Sequence, residues 1–313
     1  MQPFEAQDRM ERKSFGQLFP QLFLFPLLLV VVGVLVWLFF IASAQDGRSV
    51  QELISDIESG GDHSRRQDAY ALALKAREVA ASSHGRFSSE ETRKLLRLLE
   101  RVKDEDDLEQ FVTLALGRAG DPELTLGFMS SLALADDTPP ATRLHAAQAL
   151  ALSRSPRALD TLYEVINRHQ DPESWELRWI ALAGAANIRH ESGIPYLQKA
   201  LAEPRREMRW SAACWLAIFF GEPSGKDILW HLADWNYLDA ERGDQRQELL
   251  QAQKELYMGM ALQGLHRIDK EKSLDLLKEK ARDRRSVKVR DVAQALLEGR
   301  EPLGGGVRLP HDL

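Results

Sequence analysis

The sequence predicts an all-α protein: one transmembrane helix, then a stack of short helical pairs. Three observations carry that reading. The nineteen residues from Phe23 to Ile41 include no polar side chain. No later segment alternates in the two-residue period of a strand. One short pattern recurs along residues 48–299 at the spacing of two helices and their loops.

The apolar run comes first. No charged residue falls between Ser14 and Gln45. A helix of that core length spans about 28 Å, close to the ~30 Å hydrocarbon layer. With its backbone hydrogen bonds closed internally, such a segment favours lipid over water. Trp37 and the Phe39–Phe40 pair suit an interface at one end, and Pro20 and Pro26 lie near the other. Residues 19–44 therefore read as a transmembrane signal anchor in the bilayer. Two alternatives stay open: cleavage after Ala44, since Ala42-Ser43-Ala44 has the small-x-small form, and a buried core helix. The run is longer than a usual signal-peptide core and too continuous for a surface helix. Arg9, Arg12 and Lys13 precede it, and only Arg48 follows before residue 60. The positive-inside rule then puts the tail, residues 1–18, in the cytoplasm and the following domain on the extracytoplasmic (periplasmic) side. Gly33 is the single glycine of the run, so no small-xxx-small pair marks a helix-pairing face.

Residues 45–299 read as helices separated by breaker clusters such as Gly120-Asp121-Pro122, Gln170-Asp171-Pro172 and Gly221-Glu222-Pro223. The recurring pattern is a basic residue, two variable positions and a small residue that opens an Ala/Leu-rich helix. It starts at Arg66, Arg143, Arg178, Arg209 and Arg290, with Gln110 in place of Arg once and a degenerate copy near Glu255. Successive starts lie 44, 33, 35, 31, 46 and 35 residues apart. About six to seven helical pairs result. No pair buries its apolar stripe alone, so neighbours must stack. Residues 300–313, with Gly304-Gly305-Gly306, read as a flexible tail.

These Arg-x-x-Ala helix starts, with second helices at Ala158–Ile166, Gly193–Leu201 and Lys226–Ala233, resemble HEAT repeats. The nearest likeness is to the bacterial HEAT-like type named after phycobilisome lyases. It covers roughly residues 50–299, is strongest over 105–235, and is disturbed by an insert between Trp235 and Glu255. The resemblance implies an α-solenoid that binds protein partners; the family name alone implies a chromophore lyase or chaperone, a weak warrant for activity.

Ala69, Ala146, Ala181, Ala212 and Ala293 stand at the small position, where close helix approach leaves little room. The arginine ladder (Arg66, Arg143, Arg178, Arg209, Arg290) has two readings. One is ion pairing to an acid of the neighbouring repeat, with Asp136, Asp171 and Glu207 as candidates; the other is an anion-binding stripe.

No metalloprotease, nucleophile-elbow, phosphate-loop or dinucleotide motif is present, so no catalytic residue, cofactor, metal or small-molecule substrate is expected and the protein reads as a non-enzyme. His190-Glu191 and Asp62-His63 fall at helix ends as caps, and Cys214 reads as a small core residue. One cysteine excludes a disulfide framework. The net charge of −6 disfavours nucleic acid and anionic lipid as partners held by net charge.

The remaining anomaly is aromatic. Six of seven tryptophans fall between residues 175 and 235. Phe111, Leu144, Trp179 and Trp210 each follow the repeat's first residue and form an apolar column, either core or an exposed partner-binding ridge. Trp230, Trp235 and Tyr237 make a second candidate beside the insert, residues 236–254. A long helix, Asp244 to Arg267, is expected to follow. The function this supports is a membrane-anchored, non-catalytic scaffold or adaptor for a protein partner in a membrane complex. An accessory subunit of a transporter or respiratory complex is the alternative.

Overall fold

In a computed structural model, residues 47–82, 85–103, 105–241 and 249–300 are described. The predicted anchor, residues 19–44, the tail before it, residues 301–313 and the centre of the insert lie outside the described residues. No helix among the described residues is long and apolar enough to cross a membrane.

The described residues form fifteen α-helices and no strand. In chain order they are α1 Val50–Ser59, α2 Asp62–Ala81, α3 Ser89–Val102, α4 Asp106–Ala119, α5 Pro122–Leu134, α6 Pro140–Leu152, α7 Leu159–Arg168 and α8 Trp175–Ile188. There follow α9 Ile194–Ala200, α10 Arg206–Trp215, α11 Lys226–Leu232, α12 Trp235–Ala240, α13 Gln251–Ile268, α14 Lys270–Lys280 and α15 Val287–Leu297. Their ends follow from local chemistry. Ser88 and Glu91 make a reciprocal capping box on α3. Asp121 caps α5, with Pro122 at its first position. Ser286 caps α15, and Arg189, in the left-handed region at φ 59°, ends α8.

The helices pack in two layers. One layer runs α2, α4, α6, α8, α10, α13, α15, each against the next. These seven helices hold the seven predicted pattern copies. The second layer runs α1, α3, α5, α7, then the short α9 and α11 against their flanking ladder helices, then α14 between α13 and α15. Two apolar clusters result, and they share α10: Trp215 faces the N-terminal cluster while Trp210 and Cys214 face the C-terminal one. Ala69, Ala146, Ala181, Ala212 and Ala293 are all buried.

The long helix of the insert is corrected. Trp235–Ala240 is a short helix of its own, and the next begins at Gln251, where the Leu250 amide donates to Gln253 Oε1. Leu250 itself is extended (φ −65°, ψ 149°), which blocks continuation from the N-terminal side. Asp62 also supplies no cap, whereas His190 accepts the Ser192 amide and caps a short turn.

Small residues set the spacing of the ladder layer. A Cβ built on Gly117 would stand 2.5 Å from Ala149 Cα, and one on Gly184 would stand 2.8 Å from Ala151 Cα. Both neighbours are backbone and cannot swing aside, so α4/α6 and α6/α8 touch nearly main chain to main chain. Gly117→Ala and Gly184→Ala should each cost about 1–3 kcal/mol in chemical denaturation, as overpacked cores do. Gly127, in α5 with nothing within 4 Å of its virtual Cβ, is the control. Gly127→Ala should stabilise by about 0.5–1 kcal/mol through helix propensity. Equal effects at all three positions would refute the close-contact account.

Candidate protein-interaction surface

The fourth residue of five of the seven ladder helices is an arginine that does related work. Arg143 Nη2 donates to the carbonyls of Ala135, Asp136 and Thr138 at 3.0, 3.2 and 3.1 Å. Arg178 Nη1 donates to those of His169 and Asp171, both at 2.8 Å. Arg209 reaches Glu203 O at 2.8 Å and also Pro204 O, and Arg290 reaches Asp283 O at 3.2 Å. Each guanidinium thus bends back over the loop before its own helix and satisfies carbonyls left open there.

This corrects the ion-pair candidates. Asp136 and Asp171 offer their backbone oxygens to the ladder, and Glu207 bonds Arg206, not Arg209. Among the predicted ladder arginines and the described residues, Arg178 alone meets a carboxylate of the next loop at close range, 3.1 Å from Glu203. Arg66 does approach Asp107 at 3.5 Å, but both side chains are mostly exposed, so the pair adds little. In the first copy the reach-back belongs to Arg65, whose Nε donates to Ile57 O at 2.8 Å. In the second copy the fourth residue is Glu109, not Gln110. Glu109 is 1% exposed, accepts from Thr142 Oγ1 at 2.9 Å and faces His145 Nδ1 at 3.4 Å.

The same edge is tied lengthwise. Arg65 forks onto Glu105; Glu109 holds Thr142; Arg168 donates to Leu134 O; Arg178 meets Glu203. Arg206 stands 3.7 Å from Glu241, and Arg285 forks onto Asp239 at 2.8 and 3.1 Å. Three of these contacts join one ladder-helix start to the next helix or its loop (α2/α4, α4/α6 and α8/α10), Arg168 joins the ends of α7 and α5, and Asp239 and Glu241 at the end of α12 meet Arg285 and Arg206.

The aromatic candidates separate by depth. Trp210 is 1% exposed, between Tyr257 (5.0 Å, edge-on) and Tyr237 (6.1 Å). Trp235 is buried too: its Nε1 donates to Asp283 Oδ2 at 2.6 Å and Arg285 stacks over its ring. These two offer no surface as they stand. Phe111, Leu144, Trp179, Trp230 and Tyr237 are part-buried against the cores. Trp179 packs on Trp215 and donates to Ser211 Oγ at 3.0 Å. Ser211 also bonds the Tyr257 hydroxyl, whose pKa burial pushes up. One hydroxyl thus joins α8, α10 and α13. Tyr237 stacks on His231, and burial, with Glu241 beside it, raises its phenol. Burial likewise pushes the Cys214 thiol up, an inert core setting.

The exposed aromatic surface lies elsewhere. Tyr70 is 54% and Leu74 39% exposed on α2, and Tyr70 meets Phe111 edge-on at 5.6 Å. The sequence hid them within an Ala/Leu-rich helix that looks like core throughout. A polar groove lined by Arg66, Glu105, Asp106, Asp107 and Leu108 opens at the start of the same α2/α4 seam.

Two outcomes test this geometry. Ser211→Ala leaves two part-buried hydrogen-bonding groups, Trp179 Nε1 and the Tyr257 hydroxyl, without this partner and should cost about 1–3 kcal/mol with altered tryptophan fluorescence; no change would remove Ser211 as a link. Arg285, then Lys254, hold the Asp239 carboxyl far below the usual range. A depressed carboxyl stabilises the fold above its unfolded pKa of about 3.9 and loses that support as pH falls below it. The melting-temperature gap between the wild type and Asp239→Asn should therefore be constant from about pH 5 upward and shrink below about pH 4.

Compared with known proteins, the chain matches no family model and no curated protein, so these residues carry the functional argument by themselves.

Proposed function

We propose that the protein is a membrane-anchored, non-catalytic scaffold of HEAT-type repeats that presents its α2/α4 seam to a protein partner. One observation carries the reading: Tyr70 and Leu74 stand exposed beside part-buried Phe111 on consecutive ladder helices. A tyrosine with one face on a rigid neighbour and the other in solvent has little conformational freedom to lose on binding. Stacked helices fix such groups without a ligand, so the surface is ready-made. Residues 19–44 supply the anchor in this reading, which restricts the partner search to the membrane plane and raises effective concentration. Arg9, Arg12 and Lys13 support a cytoplasmic N-terminus with the repeats on the extracytoplasmic side.

The test is capture of partners by the full-length, membrane-extracted protein, comparing the wild type with Tyr70→Ser. A stoichiometric protein should be recovered by the wild type and lost with Tyr70→Ser, at an unchanged melting temperature. Recovery that survives the substitution would move the site, and no stoichiometric partner at all would sink the scaffold reading. A reporter fused at the C-terminus should respond on the extracytoplasmic side; a cytoplasmic signal would reverse the orientation.

A further inference from the structure

The described loops that precede the ladder helices lie along one edge of the layer in which α2, α4, α6, α8, α10, α13 and α15 pack each against the next. The stack is electrically polar along its length. Residues 103–176 hold fourteen acids against six bases, whereas residues 277–300 hold eight bases against four acids. On the edge itself, the loop before α6 exposes Asp136 and Asp137, and the loop before α15 exposes Arg282 and Arg284. None of these four side chains takes a hydrogen bond or ion pair among the described residues. The neighbouring Arg285 differs: it is committed to Asp239 and Trp235. Asp136 gives the ladder only its carbonyl, so its carboxylate is left pointing outward from a loop that Arg143 holds still.

The two loops are four ladder helices apart. At ordinary interaxial distances that is roughly 30–40 Å, several times the Debye length of about 8 Å at physiological salt. The charges therefore do not neutralise one another within one chain. A two-fold axis across the edge brings the basic loop of each copy onto the acidic loop of the other, making two equivalent contacts at once. We propose that this edge is a self-association surface whose occupant is a second copy of this chain, arranged antiparallel, with Arg282 and Arg284 of each copy facing Asp136 and Asp137 of the other. The proposal is independent of the α2/α4 partner seam, which uses the exposed ring of Tyr70 and not these loops.

The experiment is sedimentation of the full-length protein in a neutral detergent at about 50 mM and about 500 mM salt. The wild type should dimerise at low salt, with a dissociation constant at least about tenfold higher at high salt. Two charge reversals follow, Arg282→Glu with Arg284→Glu in one variant and Asp136→Lys with Asp137→Lys in the other. Each alone faces like charge with like and should be monomeric, with unchanged circular dichroism. Mixed in equal amounts they restore both symmetric contacts and should form a one-to-one dimer. A wild type that is monomeric at low salt, a dimer that persists in either reversal, or folded variants that fail to pair when mixed would each overturn the proposal.

Discussion

The stack depends on how each connecting loop closes its backbone hydrogen bonds. A helix leaves its final carbonyls without intrahelical partners, and a loop adds more. Burying the next helix against that loop is costly unless something donates to them. A guanidinium on the fourth residue of the following helix does so, because its several N–H groups reach two or three oxygens from one rooted position. Arg143, Arg178, Arg209 and Arg290 all adopt this geometry, and Arg65 adopts it one residue away from its predicted place. The loop is thereby fixed relative to the helix that follows it, and Arg178 then reaches onward to Glu203 in the next loop.

With the loops fixed, the small residues can act. Gly117 and Gly184 let successive ladder helices approach almost backbone to backbone, and Ala149 and Ala151 meet them. Such close approach leaves no room for large side chains at the crossing points. The bulky groups are displaced toward the helix ends and the C-terminal half, where Trp179, Trp210, Trp215 and Tyr257 interlock. The spacing of the crossings and the size of the aromatic cluster are two sides of one packing solution.

Much of this architecture was legible in the chain. Alanine and leucine recur at helical spacing after a basic residue, and each predicted copy lies in a ladder helix. What the arginines bind was not legible, because backbone carbonyls have no residue signature; nearby Asp136 and Asp171 drew attention to carboxylates instead. The register slipped at the first two copies: the pattern places Arg66 and Gln110 at the ladder position, while the reach-back and the buried contact belong to the residues just before them, Arg65 and Glu109. Trp210 resisted for a different reason. Counting faces on one helix omits the neighbours on both sides, and Tyr257 arrives from a helix 47 residues on. Tyr70 was missed because its flanking alanines and leucines mask a solvent-facing turn.

Helix α10 belongs to both apolar clusters, with Trp215 turned to one and Trp210 to the other, and a π-helical turn, Leu216–Phe220, follows at once. The array therefore has a joint where two separately packed blocks share a single rod. Under mechanical load such a chain yields where the fewest side chains must part together. A pull applied between the two ends should give way in two steps, and α10 decides with which block the shared rod departs.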